Sequence, residues 1–518
     1  MVYPDILPIT HHKLVFLTLI LTLITIKILL CYMWNRKVSY WKVRGIPFIP
    51  PELPFGNIKD LVFMRKTLGQ HYNDIYRKFE GEPFCGVYQF WKPALLIRDP
   101  ELIKTVFVKE FQSFHDNHYF VNPEVDPILG LNPFNSKGDK WLKSRKILTP
   151  SLTVVKIKSM VPRMFEVCNE LINYVKRTDE TYIEAHEMMC KYSTDIIGSC
   201  AYGIQRNSFN DPNNDLRQIS KAIFDSSYKG NIALLCALYA PKLGNLLKFK
   251  ILSEEASQYF VDFVRTTYKY RVMNNIQCND YLQTLIDTNE KAKAIGQKFR
   301  FNDVELAAHC MTFFLDGFET TAILLSFIVY ELSINQEIQT AARNEIKLNG
   351  EKIEDFDFDT VYKLDYLHMV VMEGLRKHPP GTTMARTCTK KSVLKSANKE
   401  VHVEEGVPVI LPMYSIHNDK NFFPNPEIFD PLRFTEENQA KRPQFAHFPF
   451  GGGPRSCPGH KFALTMVKLG IISLLLNFRL IPKEIPCGTV VYNPMNTFFH
   501  TALHGLWIKY VPINSNEK

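Results

Sequence analysis

Residues 450–459 read Phe-Gly-Gly-Gly-Pro-Arg-Ser-Cys-Pro-Gly, and no other run constrains the chain as much. It sets one cysteine, Cys457, behind a glycine-rich loop and an arginine. Beyond it Phe462, Leu464, Met466, Leu469, Ile472 and Leu476 recur at roughly helical spacing. Pro458 suits a first helical position, where its missing N–H costs nothing. Cys457 then stands just outside a helix N-terminus, where free N–H groups and the helix dipole favour a thiolate. Such a thiolate is a strong ligand for a soft or borderline metal. The glycines let the backbone lie flat on something large, and Arg455 can meet an anion on it. A haem offers an iron, a broad face and two propionates.

A lone cysteine is more often a small buried hydrophobe. The full spacing F-x-x-G-x-R-x-C-x-G, carried by Phe450, Gly453, Arg455, Cys457 and Gly459, says more. It resembles the haem-binding signature of the cytochrome P-450 family, with Pro458 where an aliphatic residue is common. The resemblance implies haem b on an axial Cys457 thiolate. It also implies a mainly α fold with minor β (α+β), from about residue 45 to about residue 510.

With 518 residues and 46% hydrophobic content the chain can bury a large core. Length alone allows about three domains, but no linker, repeat or low-complexity block divides it after residue 55. The expected organisation is an anchor at 1–35, a proline-rich hinge at 36–55 and a haem-binding catalytic domain at 56–518. Eleven scattered cysteines form no CxxC pair or zinc spacing, which points to a reducing compartment. The net charge of +9 fits an acidic protein partner, an anionic membrane surface or a solvated face. No basic stretch carries interleaved aromatics, so nucleic acid is not an expected partner.

Residues 14–34 are almost wholly apolar apart from threonines and Lys27. That length spans about 30 Å as a helix, the thickness of a bilayer core. A central lysine costs on the order of 3 kcal/mol unless it snorkels. A cleaved signal peptide is the rival, but no small-x-small site follows. Arg36, Lys37, Lys42 and Arg44 come directly after the segment, against Lys13 alone before it. The charge bias leaves the large domain in the cytosol. With the resemblance to the family's microsomal members, this implies a single-pass endoplasmic reticulum protein. Residues 45–54 hold four prolines and read as a stiff, extended connector, similar to the hinge of microsomal members of the family.

Strands are expected at 83–89 and 94–98, a helix start at 100–107, and mostly helix from 138 to 378 with a polar break at 210–214. Two more strands, at 400–403 and 407–412, flank a Glu405-Gly406 turn, and an irregular meander covers 424–434.

Other constellations gain meaning beside the cysteine run. Glu373 and Arg376 sit three apart on one helix face and can pair. With His378-Pro379 and Phe429-Asp-Pro-Leu-Arg433-Phe434 they resemble the family's E-x-x-R helix and P-x-R-F meander. The resemblance implies a buried charged cluster of Glu373, Arg376 and Arg433, with Leu432 at a position often acidic. Trp141 and Arg145, four apart, offer only donors. They resemble the pair that holds a haem propionate, and Arg386 matches a further propionate-facing arginine.

The longest helix candidate, 303–335, opens on an Asn302-x-x-Glu305 capping start. It contains Asp316-Gly-Phe-Glu319-Thr320-Thr321, locally unfavourable to a helix. Thr320 can bond the carbonyl of Asp316 and open a kink. The stretch resembles the family's oxygen-binding groove, with Asp316 replacing a small residue. Thr320 and Glu319 are thus the implied catalytic residues: Thr320 to hydrogen-bond dioxygen and order a water, Glu319 to relay protons. The chain has no flavin or nicotinamide fingerprint, so electrons come from outside. The resemblance implies an NADPH-cytochrome reductase in the same membrane, with cytochrome b5 as a second candidate donor. Lys140, Lys143 and Lys146 are candidates for its docking face. Phe111, Phe114, Phe120, Phe313, Phe314, Phe498 and Phe499 are candidate pocket residues for a lipophilic substrate. Taken whole, the chain is most similar to the insect branch that oxidises plant toxins and insecticides.

Three rivals stand beside the monooxygenase reading. A haem-thiolate isomerase or dehydratase would need no reductase, but such members commonly lack the acid–threonine pair present here. A haem-based sensor or binding protein would not need Thr320. A cysteine protease would pair Cys457 with His447 or His460, but nothing organises an oxyanion site.

Overall fold

A computed structural model describes residues 7–178, 181–204, 207–211, 215–223, 227–296, 300–484 and 490–513. The polar break expected at 210–214 falls mostly outside them. The first element is a helix, Leu7–Val38. Its apolar side chains Leu14, Phe16, Leu19, Leu23 and Ile28 point outward, half or more exposed, with no protein surface covering them. Directly after it Trp41 is fully buried. Its indole N–H donates to the Val87 carbonyl at 3.1 Å, and the Tyr88 hydroxyl donates to the carbonyl of Val38 at 2.5 Å. The connector at 45–54 therefore starts from a docked tryptophan, and Phe48 continues the docking as a parallel bridge to Gly86.

Strands β1 (Phe84–Gln89) and β2 (Lys92–Ile97) form an antiparallel hairpin from Phe84↔Ile97 to Gln89↔Lys92. They join β3 (Asp116–Asn117), β5 (Met384–Thr387) and β8 (Pro408–Leu411) in a five-stranded sheet of order β1-β2-β8-β5-β3. β4 (Tyr182–Glu184), β9 (Phe478–Pro482) and β10 (Trp507–Pro512) make a second sheet, and β6 (Ser392–Lys395) pairs with β7 (Glu400–Val403) in a third. The two strands expected around Gly406 exist but are not partners. β7 alternates exposed and buried positions, as suits a two-stranded ribbon with one wet face. All four residues of β8 are buried, and it lies between β2 and β5. Gly406, at φ 84°, turns the chain between the two sheets.

The helical side is built on Asp303–Ile334, hereafter the Thr320 helix. Its start is a complete capping box: Glu305 N–H donates to Asn302 Oδ1 and Asn302 N–H to Glu305 Oε2, both at 2.9 Å. Around it pack the Cys190 helix (Ala185–Tyr202), the Glu373 helix (Asp365–Lys377) and the helix His460–Asn477. The Thr320 helix and His460–Asn477 are apolar and long enough to cross a membrane, yet 78% and 72% of their most apolar windows are buried by protein. They are core helices, which is why their apolar character runs all round. Two large hydrophobic cores result, beside a small third cluster of Phe423, Phe434 and Ala446. The larger one, among the helices, includes Phe450 and Phe462 at its inner edge, and the sheet-side one includes Phe107, Phe445 and Phe448. The cysteine loop threads between them.

Candidate active site

The helix after Cys457 begins at His460, with Gly459 as the residue before it. Pro458 is thus a turn residue and not the first helical one, and Cys457 stands three residues ahead of the helix. Its N–H returns to the Phe450 carbonyl at 2.9 Å, closing the glycine loop. Gly453 has φ 65°, and a Cβ there would lie 1.9 Å from the Phe107 carbonyl oxygen, so no other residue fits. Phe107 is delivered by a π-helical turn, Thr105–Lys109, that continues the short helix Pro100–Lys104. Such turns often mark functional sites. Gly459 meets no neighbouring atom at its Cβ position, leaving open space beside the cysteine.

Burial pushes the Cys457 thiol up to about 11, the carboxyl of Asp316 adds to this, and the Gly459 N–H and Arg145 oppose it. The helix starts three residues after Cys457, too late for its first N–H groups to act on the sulfur directly, and a bound metal would favour the thiolate.

Three guanidiniums converge near the cysteine. Arg145 donates to the Ser456 carbonyl at 2.7 Å. Arg455 reaches Asp116 Oδ1 at 3.3 Å and the Ser136 carbonyl at 2.9 Å, and lies 4.2 Å over the Trp141 ring. Arg386 donates to Asn117 Oδ1. The Nε and Nη1 atoms of Arg455 are buried with no hydrogen-bond partner among the described residues. Burial, and then the charge of Arg455, lower Arg386 to about 9. Burial lowers Arg455 to about 10, with Asp116 opposing and Arg145 assisting. One carboxylate, itself also held by His115 at 2.8 Å, serves this group. Buried donors short of acceptors call for anionic oxygens. With Cys457 beside them, the residues present fit a haem, its propionates on the arginines and its iron on the sulfur.

In the Glu373 cluster, by contrast, all three guanidinium nitrogens of Arg376 are hydrogen-bonded. Arg376 donates to both Glu373 oxygens at 2.7 Å, and both side chains have no exposure. Arg376 also reaches the carbonyls of His417 at 3.1 Å and Pro426 at 2.8 Å. Arg433 pairs with Glu373 at 3.5 Å and donates to the carbonyls of Pro424 at 2.6 Å and Asn425 at 2.9 Å. These bonds pin the irregular meander to the Glu373 helix.

On the Thr320 helix, Thr320 Oγ1 donates to the Asp316 carbonyl at 2.6 Å, while the helix assignment passes unbroken through the segment. Asp316 is exposed by its accessible surface, and its carboxyl is near enough to Cys457 for its charge to act on the thiol. Desolvation by the surrounding side chains raises it to about 7. Glu319 lies elsewhere. It is buried against the Cys190 helix, 3.3 Å from His186 Nε2 and 3.9 Å from Cys190 Sγ. Burial opposes protonation of His186, but Cys190 and Glu319 raise it well above its ordinary range. Of the candidate pocket phenylalanines, Phe114, Phe313 and Phe314 are buried in the cores and Phe111 packs on Trp141 at 5.9 Å. Phe120, Phe498 and Phe499 stay partly open. Sequence reasoning missed Asp116, Asn117, Phe107, His186 and Cys190, none of which has a local pattern.

A half-buried cysteine, an arginine group short of anions and a threonine-bearing helix nearby are the makings of a haem-thiolate protein. The family model described as Cytochrome P450 matches residues 47–495. The chain is 33% identical to Cytochrome P450 6a2 of Drosophila melanogaster over 93% of this chain and 97% of that one. It is 35% identical to Probable cytochrome P450 6a13 of the same fly over 90% and 94%, and 32% identical to Cytochrome P450 6j1 of Blattella germanica over 97% and 99%. The chain belongs to the cytochrome P450 family, as the cysteine signature and the α+β architecture led one to expect. It is a monooxygenase that carries haem b on a cysteine thiolate.

Proposed function

We propose that this protein oxidises lipophilic small molecules, plant toxins and insecticides among them, at the endoplasmic reticulum membrane. The observation that carries the reading is that Cys457, beside arginines short of acceptors, lies within charge range of Asp316, whose carbonyl holds Thr320. Cys457 would hold the iron. Arg145, Arg386, Arg455 and Trp141 would hold the propionates, and Phe450, Gly453 and Gly459 would shape the face. When bound, the haem supplies an iron whose thiolate ligand favours cleavage of dioxygen.

The remaining work belongs to side chains. Thr320 Oγ1 is held by the Asp316 carbonyl and can hand a proton into the cavity. Glu319 faces His186, whose side chain is 29% exposed, so a relay from solvent through His186 to Thr320 requires the Glu319 carboxylate to turn away from the Cys190 helix. Asp316 narrows and polarises the same space where relatives carry a small residue. The exposed lysines 140, 143 and 146 offer a face to an NADPH-cytochrome reductase, with cytochrome b5 a second donor. The outward apolar face of Leu7–Val38 supports an anchor at 1–35, followed by the segment 36–55 and the catalytic part 56–518.

The deciding measurement is the absorption spectrum of the dithionite-reduced, carbon-monoxide-bound protein, for wild type and Cys457→Ala. A strongly red-shifted Soret band, lost in the variant, supports the ligand assignment. A band that survives the substitution overturns it. Wild type with reductase and NADPH should then place one oxygen atom from labelled dioxygen into a lipophilic test substrate. Turnover of a peroxide without reductase, and none with it, would instead support an isomerase or dehydratase.

A further inference from the structure

Glu319 is held on the far side of its helix by two residues the proposed reaction does not itself require as a set. His186 and Cys190 are one helical turn apart on the Cys190 helix, so both present to the same side. The ligand atoms His186 Nε2, Cys190 Sγ and a Glu319 oxygen all lie within 4.8 Å of one another. The individual separations are 3.3 Å for nitrogen to oxygen, 3.7 Å for sulfur to nitrogen and 3.9 Å for sulfur to oxygen. Zinc bonds of about 2.0–2.1 Å to nitrogen and oxygen and about 2.3 Å to sulfur, set tetrahedrally, give edges of about 3.3–3.6 Å. Only a few tenths of an ångström separate the two geometries.

We propose that His186, Cys190 and Glu319 form a binding site for one borderline-soft divalent cation, of which zinc is the type. Thiolate and imidazole select such an ion over magnesium or calcium. Three protein ligands leave a fourth position for water, on the side where His186 reaches solvent. Arg217, the nearest guanidinium to this group, is engaged by Glu187 at 2.6 Å. Binding displaces the Cys190 thiol proton and one His186 ring proton to solvent, and no electron moves. The bound ion ties the Cys190 helix to the Thr320 helix and holds the Glu319 carboxylate away from the cavity. That it would also slow turnover rests on the relay role given to Glu319 above, whereas binding itself does not.

The test uses metal-free, haem-loaded full-length protein and zinc alone as the probe, titrated against a chromophoric chelator. One equivalent should bind to the wild type. Cys190→Ser and His186→Gln, each checked for an unaltered haem spectrum, should weaken binding by at least about 10-fold. Equal binding by wild type and both variants, or none by the wild type, overturns the site. Should a variant fail to fold, the zinc X-ray absorption spectrum of the wild type decides. One sulfur at about 2.3 Å with lighter ligands at about 2.0–2.1 Å supports it, and a shell without sulfur overturns it. Neither readout uses turnover, so losing the relay role of Glu319 would leave the result standing.

Discussion

Two groups of buried arginines lie close to the cysteine loop, and they are built on opposite principles. Every guanidinium nitrogen of Arg376 has an acceptor: Glu373 takes two bonds at 2.7 Å and backbone carbonyls take the others, with Arg433 Nε alone left at ion-pair distance from Glu373, 3.5 Å. Around Arg455 the donors outnumber the acceptors, Nε and Nη1 go unpartnered among the described residues, and neighbouring guanidiniums depress one another. The first group is finished by folding. The second spends stability on a place for something with negative charge, as binding sites commonly do. The contrast teaches how to tell a structural ion pair from a ligand pocket: by counting acceptors, not charges.

Breaking the finished group should cost most. Glu373→Ala leaves Arg376 and Arg433 buried without their carboxylate, and the loss should be about 3–5 kcal/mol in denaturant unfolding. A cost below about 1 kcal/mol would mean that this cluster, too, is poised for an external anion. Arg455→Leu should behave differently. The haem-free protein should stay within about 1 kcal/mol of wild type, because a buried cation short of partners has been removed. Haem transfer to a scavenging apoprotein should quicken by about 10- to 100-fold, matching about 1.5–3 kcal/mol for a charged hydrogen bond. Equal destabilisation of the haem-free protein by both changes would erase the distinction.

A pH series probes the edge of the finished group. His417 is fully buried, and its Nε2 accepts from the Phe448 N–H at 3.0 Å. Burial, and then the charge of Arg376, lower its pKa from 6.5 to about 3. The unfolded chain takes up this proton below about pH 6.5 and the folded one does not until about 3. Its contribution is therefore complete above pH 6.5 and declines on acidification, by about 1.4 kcal/mol per pH unit. Unfolding free energies should fall from pH 7 to 5 with a slope to which His71, His118, His309, His368 and His500 also add, and that slope should be smaller by up to one proton in His417→Gln. An unchanged slope would mean the ring takes up a proton in place. The smallest effect belongs to an exposed pair, Lys158 and Asp359, 2.6 Å apart with side chains 43% and 58% exposed. Lys158→Ala should cost at most about 1 kcal/mol, and less at high salt.

Much of the site could be read before folding because its pieces are local. Cys457, Gly453 and Arg455 share one loop, Trp141 and Arg145 one helical turn, and Glu373 and Arg376 another. Asn302 and Glu305 cap their helix through a contact three residues long. The start of the helix after Cys457 was misplaced because Pro458 tolerates a turn as readily as a first helical position.

What lay beyond the sequence were the pairings across long separations. Parallel pairing of β2 with β8 joins Leu95 to Val409, and nothing in either strand names its partner. Asp116 meets Arg455, and Glu319 meets His186, only because their elements pack together.

The sequence by itself determined the family, the apolar first helix and the charge pairs one turn apart, and it singled out the cysteine proposed as ligand, since each depends on spacing along the chain. Only the tertiary structure decided that its surroundings push the Cys457 thiol up, that Asp316 lies within charge range of that thiol and that Glu319 faces the Cys190 helix. Burial and distant charge set those outcomes, and both arise from where the whole chain packs.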